Sequence, residues 1–249
     1  MNADAQSQRP NYGIDAPDVV RRFIVIGILG VVCGYIAGEL AGHGRLGWMR
    51  WLVVPLWCIG ITFFIQGLVM LWGSKVGKLR LRDKVIASIP WRGDEIVLDV
   101  GCGHGLMLIA AAKQLKTGKA IGVDLWQAED QAGNSPEATQ HNIRLENVAA
   151  KIELKDGDAR KLEFADNTFD VILSSWALHN IYDQAGRATA LREIVRVLKP
   201  GGRLVIIDIR HVPEYAKVLE ESHMFEIKQS GPNFLFVIPT LTLMASKPT

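Results

Sequence analysis

This 249-residue chain lacks an excess of either charge: 28 lysines and arginines face 26 aspartates and glutamates, a formal net of +2. A global electrostatic case for nucleic acid is excluded, and no basic stripe with interleaved aromatics runs through the second half. Cysteine is also scarce, with three in all. Cys33 and Cys58 fall in apolar runs and Cys102 in a glycine turn, without metal-ligand spacing, so neither a disulfide framework nor a metal site is expected. A reduced, cytosol-facing protein is the economical reading. The third scarcity is local. Between Phe23 and Ala41 the only charge is Glu39, and between Trp51 and Trp72 there is none.

Those two runs hold 19 and 22 residues. At a helical rise of ~1.5 Å they span about 28 and 33 Å, close to a ~30 Å hydrocarbon core, and each reads as a membrane-spanning helix. Pro55 sits in the first turn of the second, tryptophans mark both its ends, and Gly42–Arg50 suffices to turn back. A cleaved signal peptide is the alternative for the first run. Its length, its poor cleavage pattern and the second run weigh against that. Seven basic residues flank the pair (Arg21, Arg22, Lys75, Lys78, Arg80, Arg82, Lys84) against Arg45 and Arg50 between them. Both ends are therefore expected in the cytoplasm, with the chain a multi-pass protein of the cell membrane. Gly30, Gly34 and Gly38 repeat every four residues, a face that admits either the second helix or another subunit of a homo-oligomer. Residues 1–18 read as a disordered lead, 19–74 as the hairpin and 75–249 as a soluble domain. Lys75–Lys84 suits an anionic leaflet or a solvated linker equally.

The soluble domain is organised around Glu95–Gly105, EIVLDVGCGHG. Ile96–Val100 is apolar apart from Asp99, as a strand buried on both faces requires, and breaks into Gly101, Gly103 and Gly105. A strand, a glycine turn and a helix make a cofactor cradle. Glycines let the backbone turn sharply and let a ligand approach the main chain. The dinucleotide pattern wants a third glycine where Leu106 stands, and Asp99 would set a carboxylate near a pyrophosphate. S-adenosylmethionine has no phosphate and carries two cationic groups. At these residues the chain resembles the class I S-adenosylmethionine-dependent methyltransferases, with relatives in quinone biosynthesis, over roughly residues 84–248. The resemblance implies a Rossmann-like parallel sheet closed by an antiparallel strand pair, with Asp99, Gly101, Cys102, Gly103 and Gly105 at the cofactor.

The rest of the domain alternates strands and helices. Strand Ala120–Asp124 ends in an acid 19 residues beyond Gly105, about where a βαβ unit returns a carboxylate to ribose hydroxyls. The resemblance gives Asp124 that role and packs Leu125 on adenine. Ser135-Pro136-Glu137 is an N-cap pattern opening a helix to about Leu145, which leaves Trp126–Asn134 as a cover loop. After strand Ile152–Lys155, Asp158 and Ala159 match the family's adenine-binding positions. Strand Phe169–Leu173 runs into SSWALHN, where the resemblance puts Ser174 or Ser175 at the cofactor and the acceptor near Trp176 and His179. His179 and His211 are the candidate bases; Cys102 is a small filler or a thiol at a helix N-terminus. A helix Gln184–Val197 ends at LKPGG, strand Arg203–Asp208 follows, then helix Glu214–Ser222 and strands Phe225–Gln229 and Leu241–Ser246.

The implied activity is methyl transfer from S-adenosylmethionine to a small or lipid-like acceptor: a thiol, an amine or a quinone-type carbon. A membrane-anchored NAD(P)-dependent reductase and a non-catalytic S-adenosylmethionine-binding scaffold are the alternatives. The expected partners are the membrane and the acceptor, with no nucleic acid.

Overall fold

The computed structural model describes residues 9–44, 46–127 and 133–249, in two compact units: Ile14–Gly77, and the segment up to Gly13 together with Lys78–Thr249. The first is a helical hairpin, α1 (Pro17–Gly42) and α2 (Arg50–Trp72) joined through a short turn of 3-10 helix, Gly47–Met49. Its seam is made by glycines. A Cβ on Gly60 would lie 2.5 Å from the Val31 nitrogen, and one on Gly27 2.6 Å from that of Phe64, so the backbones are in contact. Gly30 and Gly34 face α2 in the same way, so the face open to another subunit is filled from within the chain. Of the three repeating glycines, Gly38 alone has nothing within 4 Å. Away from the seam Leu29, Val32, Tyr35, Val54 and Ile65 stand exposed, and both helices are long and apolar enough to cross a membrane. Gly73–Gly77 closes this unit as a single π-helical stretch.

The second unit is a three-layer α/β structure. After α3 (Lys78–Ser88) come β1 (Ile96–Val100), α4 (Leu106–Ala112), β2 (Lys119–Asp124), α5 (Pro136–Leu145), β3 (Ile152–Asp156), β4 (Phe169–Ser175), α6 (Gln184–Val197), β5 (Leu198–Asp208), α7 (Val212–Glu221), β6 (Phe225–Asn233) and β7 (Thr240–Ser246). The sheet order is β3-β2-β1-β4-β5-β7-β6, parallel from β3 to β5, with β7 antiparallel to β5 and β6 to β7. The expected Rossmann-like sheet with its closing pair is therefore present. Leu98, Val100, Ile172, Leu204 and Ile206 pack under α6 and α7, while Val97, Val171 and Val205 pack under α3 and α4. The chain reverses between β1 and β4, where α/β sheets bind ligands beyond the carboxyl ends of the strands.

The local signals account for the boundaries. Ser135 Oγ accepts from the Ala138 amide at 3.2 Å and Asp183 Oδ1 from that of Gly186 at 2.6 Å, starting α5 and α6 at the expected residues. One expectation needs correction: residues 9–18 are not a structureless lead. Tyr12 is buried, its hydroxyl donating to Glu146 at 3.0 Å, and Asn11 exchanges two hydrogen bonds with Asn142, each 2.9 Å. The Lys78 ammonium, itself buried, donates to the carbonyls of Tyr12 and Gly13. The apolar ring, rather than any periodicity, draws this segment onto the second unit. Residues 1–8 of the expected lead, Arg45, and 128–132 of the expected cover loop lie outside the described residues.

Candidate active site

The cradle begins where β1 breaks. Gly101, Gly103 and Gly105 have φ of +73°, +48° and +81°, conformations that L-residues other than glycine seldom adopt. A Cβ at Gly101 would collide with that of Ala177, so the turn is also pressed against the loop after β4. Its outward groups are held from α5: Thr139 Oγ1 donates to the Gly103 carbonyl at 2.6 Å and Asn142 Nδ2 to that of His104 at 3.0 Å. Thr139 and Asn142 are buried polar residues three apart on one helical face. Their i, i+3 spacing is legible in the sequence, although Thr139 and Asn142 are not among the expected site residues.

Asp124 stands at the mouth. Its Oδ2 accepts from the Gly103 amide at 2.8 Å, its Oδ1 from the Trp126 amide at 2.7 Å and the Asn134 side chain at 3.1 Å. A carboxylate has further lone pairs for hydroxyl donors. Asp99 is wholly buried beneath the turn, and among the described residues neither oxygen has a partner within hydrogen-bond geometry. Burial pushes its carboxyl up to about 7; the Leu108 amide opposes this and the Asp124 charge adds to it. An acid under the turn, with Leu106 where a dinucleotide site wants a third glycine, suits a ligand that is cationic and has no phosphate, while Asp124 suits the ribose of that ligand or of a dinucleotide. S-adenosylmethionine fits that description and a dinucleotide does not.

Other expected cofactor residues fare unevenly. Leu125 is 49% exposed just beyond β2, available to a ring. Cys102 turns its sulfur into the core against Gly122, and burial drives its thiol pKa up, so it is a filler and only its backbone faces the turn. Ser174 is buried with its hydroxyl donating to the Val100 carbonyl at 2.9 Å. Its one proton thereby ties β4 to β1, while the neighbouring Ser175 is half-buried. Asp158 accepts from Nε and Nη2 of Arg160 along one edge of the guanidinium, 2.6 to 3.0 Å, which holds its carboxyl below the usual range. Ala159 packs on the core cluster beneath α6. Trp126 donates its indole N–H to Asp156 at 2.6 Å, a contact between residues 30 positions apart that no local pattern marks.

The acceptor side follows β4. Trp176 has a strained φ of +51°, a ring 4.7 Å from that of Phe236, and a buried Nε1–H with no partner among the described residues. His179 Nδ1 lies 2.6 Å from Oδ1 of fully buried Asp208, off the axis of a hydrogen bond. Asp208, the last residue of β5, also accepts from the His179 and Ile209 amides and the Tyr215 hydroxyl. Burial and the Asp208 charge push the Tyr215 phenol up, which keeps it a donor. Arg187 fixes the segment after His179, donating to the Ile181 and Tyr182 carbonyls while pairing with Glu214 at 2.9 Å. His211 contacts that same Glu214 at 3.5 Å, so His179 is the candidate base with its own carboxylate. Asp208 was missed because nothing local marks it; only the fold brings two strand ends together.

Comparison with known proteins agrees. A family described as a methyltransferase domain matches residues 98–206. The demethylmenaquinone methyltransferase of Lactiplantibacillus plantarum is 38% identical over 128 residues, 51% of this chain and 50% of that protein. The 27-O-demethylrifamycin SV methyltransferase of Amycolatopsis mediterranei is 28% identical over 163 residues, 64% and 54% of the two chains. The chain thus spans about half the length of the curated relatives it matches. Among solved structures, a SAM-dependent methyltransferase from Aquifex aeolicus superposes with a TM-score of 0.53 at 20% identity, covering 69% of this chain and 93% of that one. The [4+2]-cyclase SpnF gives 0.55 at 19%, covering 69% and 81%. At such identities the likeness is one of fold alone, and the cyclase shows that this fold hosts other reactions.

Proposed function

Residues 98–206 are a class I S-adenosylmethionine-dependent methyltransferase domain, and from that premise we propose that the whole chain is a membrane-anchored methyltransferase whose acceptor is a reduced, quinone-type aromatic ring. The observation that carries the reading is the juxtaposition of the glycine turn and Asp124 with a histidine backed by a buried carboxylate, across the switch between β1 and β4. A thiol or amine needs no such base, since it can lose its proton before binding. Carbon methylation of a hydroxylated ring needs one.

S-adenosylmethionine supplies, when bound, an electrophilic methyl on a sulfonium that departs as a neutral thioether. The chain supplies the rest. Asp124 and the backbone of the glycine turn orient the cofactor, and Asp99 lies beneath as a counter-charge. Trp176 and Phe236 offer an aromatic wall for a planar ring and exclude water. His179, with Nδ1 toward Asp208, would offer Nε2 to take the proton of a ring hydroxyl, which makes the adjacent ring carbon nucleophilic; that carbon would lose its own proton as the ring regains aromaticity. Hydroxyl methylation, the reaction site named for the rifamycin relative, would use the same base. It is the second reading. Binding and no turnover is what a scaffold would show.

The two apolar helices support membrane association, and the flanking charges support a hairpin with both ends in the cytosol. The test is incubation of full-length protein in detergent with methyl-labelled S-adenosylmethionine and a reduced short-chain demethylmenaquinone. Label on the ring carbon is expected. Label on oxygen would favour the second reading, and cofactor binding without transfer to either would overturn both.

A further inference from the structure

Among the described residues of the second unit, five large apolar side chains stand exposed: Leu125 (49%), Tyr182 (97%), Phe225 (43%), Phe234 (60%) and Ile238 (42%). Four share one edge of the sheet. Leu125 follows β2 and Tyr182 lies in the segment after β4, while Phe234 and Ile238 belong to the loop between β6 and β7. The pairing of Leu241 with Asp208 sets the start of β7 level with the end of β5, so that loop stands over the same carboxyl edge as Asp124, Asp208 and the glycine turn. Phe225 is the exception: it pairs with Ser246, which pairs with Arg203 at the opposite edge. Leu235 and Phe236, from the same loop, are tucked inward, Phe236 onto Trp176. The loop thus has an inner aromatic wall and an outer apolar tip.

We infer that the rim formed by Tyr182, Phe234 and Ile238 is an interfacial surface that rests on a lipid bilayer, so that an acceptor with an apolar tail passes from the bilayer to the site beside His179. The inference deepens the proposed function and rests on the hairpin's being inserted. What selects a bilayer as occupant is covalent reach. Three residues separate Gly13 from Pro17 at the start of α1, and five separate Trp72 at the end of α2 from Lys78. At no more than ~3.6 Å per residue, each connection reaches about 20 Å at most. A domain of this size has a radius of gyration of about 16 Å. Two such short tethers hold some face of it against the membrane surface, and the face that costs least to desolvate there is the one already apolar. Tyrosine and phenylalanine suit that depth, where a ring is half in hydrocarbon and half at the headgroups.

The test uses full-length protein with Cys33 and Cys58 replaced by alanine; Cys102 is retained because its buried thiol is unreactive. The variants Y182C, F234C and F225C are labelled with an environment-sensitive fluorophore and reconstituted into phosphatidylcholine vesicles, with or without bromine on the upper acyl chain. Labels at 182 and 234 are expected to lose fluorescence in brominated vesicles, while the label at 225 is unchanged. No loss at 182 and 234, or equal loss at 225, overturns the inference. Binding of S-adenosylmethionine to the same vesicles reports separately on the methyltransferase reading. A second arm compares acceptors. Phe234→Ser with Ile238→Ser should raise the apparent KM about tenfold for a long-chain prenylated naphthoquinol in vesicles and leave it unchanged for the same ring without a tail. An equal change for both, or none, contradicts delivery through the rim.

Discussion

His179, in the turn after β4, and Asp208, the last residue of β5, meet at the carboxyl edge of the sheet, and their contact makes a half-buried histidine into a directed one. Asp208 is fully buried but receives two amides and a phenol, so its charge is partly satisfied before the imidazole approaches. His179→Ala is expected to lower kcat by about 10²- to 10⁴-fold with little change in cofactor affinity. Asp208→Asn keeps the shape but withdraws the charge, and it should lower kcat while leaving the KM for the acceptor nearly unchanged. Rapid-quench turnover with labelled cofactor reads both. Asp99 gives a prediction in pH. Its folded pKa of about 7 lies above the ordinary aspartate value, so between roughly pH 4 and 7 the folded chain holds a proton that the unfolded chain releases. Stability of the cofactor-free protein should therefore fall as pH rises through that window, by at most ~1.4 kcal/mol per unit, and level off above it. Asp99→Asn should flatten the profile of thermal unfolding in detergent. A wild-type profile already flat over that range would show that Asp99 ionises freely.

At the scale of elements, the glycines of the hairpin act differently from those of the cradle. Gly30 and Gly60 are needed for closeness, since their Cα atoms leave no room for a side chain between helices, whereas Gly101 and Gly105 are needed for their backbone angles as well. Gly60→Leu should part α1 from α2 and lower the denaturation midpoint of the hairpin in micelles, followed by helical circular dichroism, while leaving the cofactor site intact. An unchanged midpoint would mean that the seam carries little of the hairpin's stability. Strand identities and the ends of α5 and α6 were legible because their signals are local: an apolar run, a capping hydroxyl or carboxylate, a proline at the first turn. The site was legible only in part. The glycine turn and Asp124 follow from spacing, but Asp208, Thr139, Asn142 and the grip of Arg160 on Asp158 depend on which surfaces the fold brings together. The tie from Ser174 to β1 was hidden for the same reason, because its partner carbonyl lies 74 positions away. Tyr12 went unread because one aromatic in a polar segment carries no period.

Across the whole molecule, a hairpin and an enzyme domain are linked twice by short stretches, which turns the topology of one into a constraint on the other. Cysteine-accessibility labelling in intact cells should mark a probe at position 45 and spare one at position 80. Equal labelling of both would defeat the cytosolic placement of the domain. The central claim is narrower, that the turn after β1 is built for S-adenosylmethionine, and calorimetry on full-length protein in detergent tests it most directly. The account predicts that S-adenosylmethionine binds and NADH does not. It further predicts that Asp124→Ala weakens the binding about 30- to 1,000-fold, the loss of roughly 2–4 kcal/mol of charge-assisted hydrogen bonds. Binding of NADH in place of S-adenosylmethionine, or an affinity untouched by removal of Asp124, would contradict it.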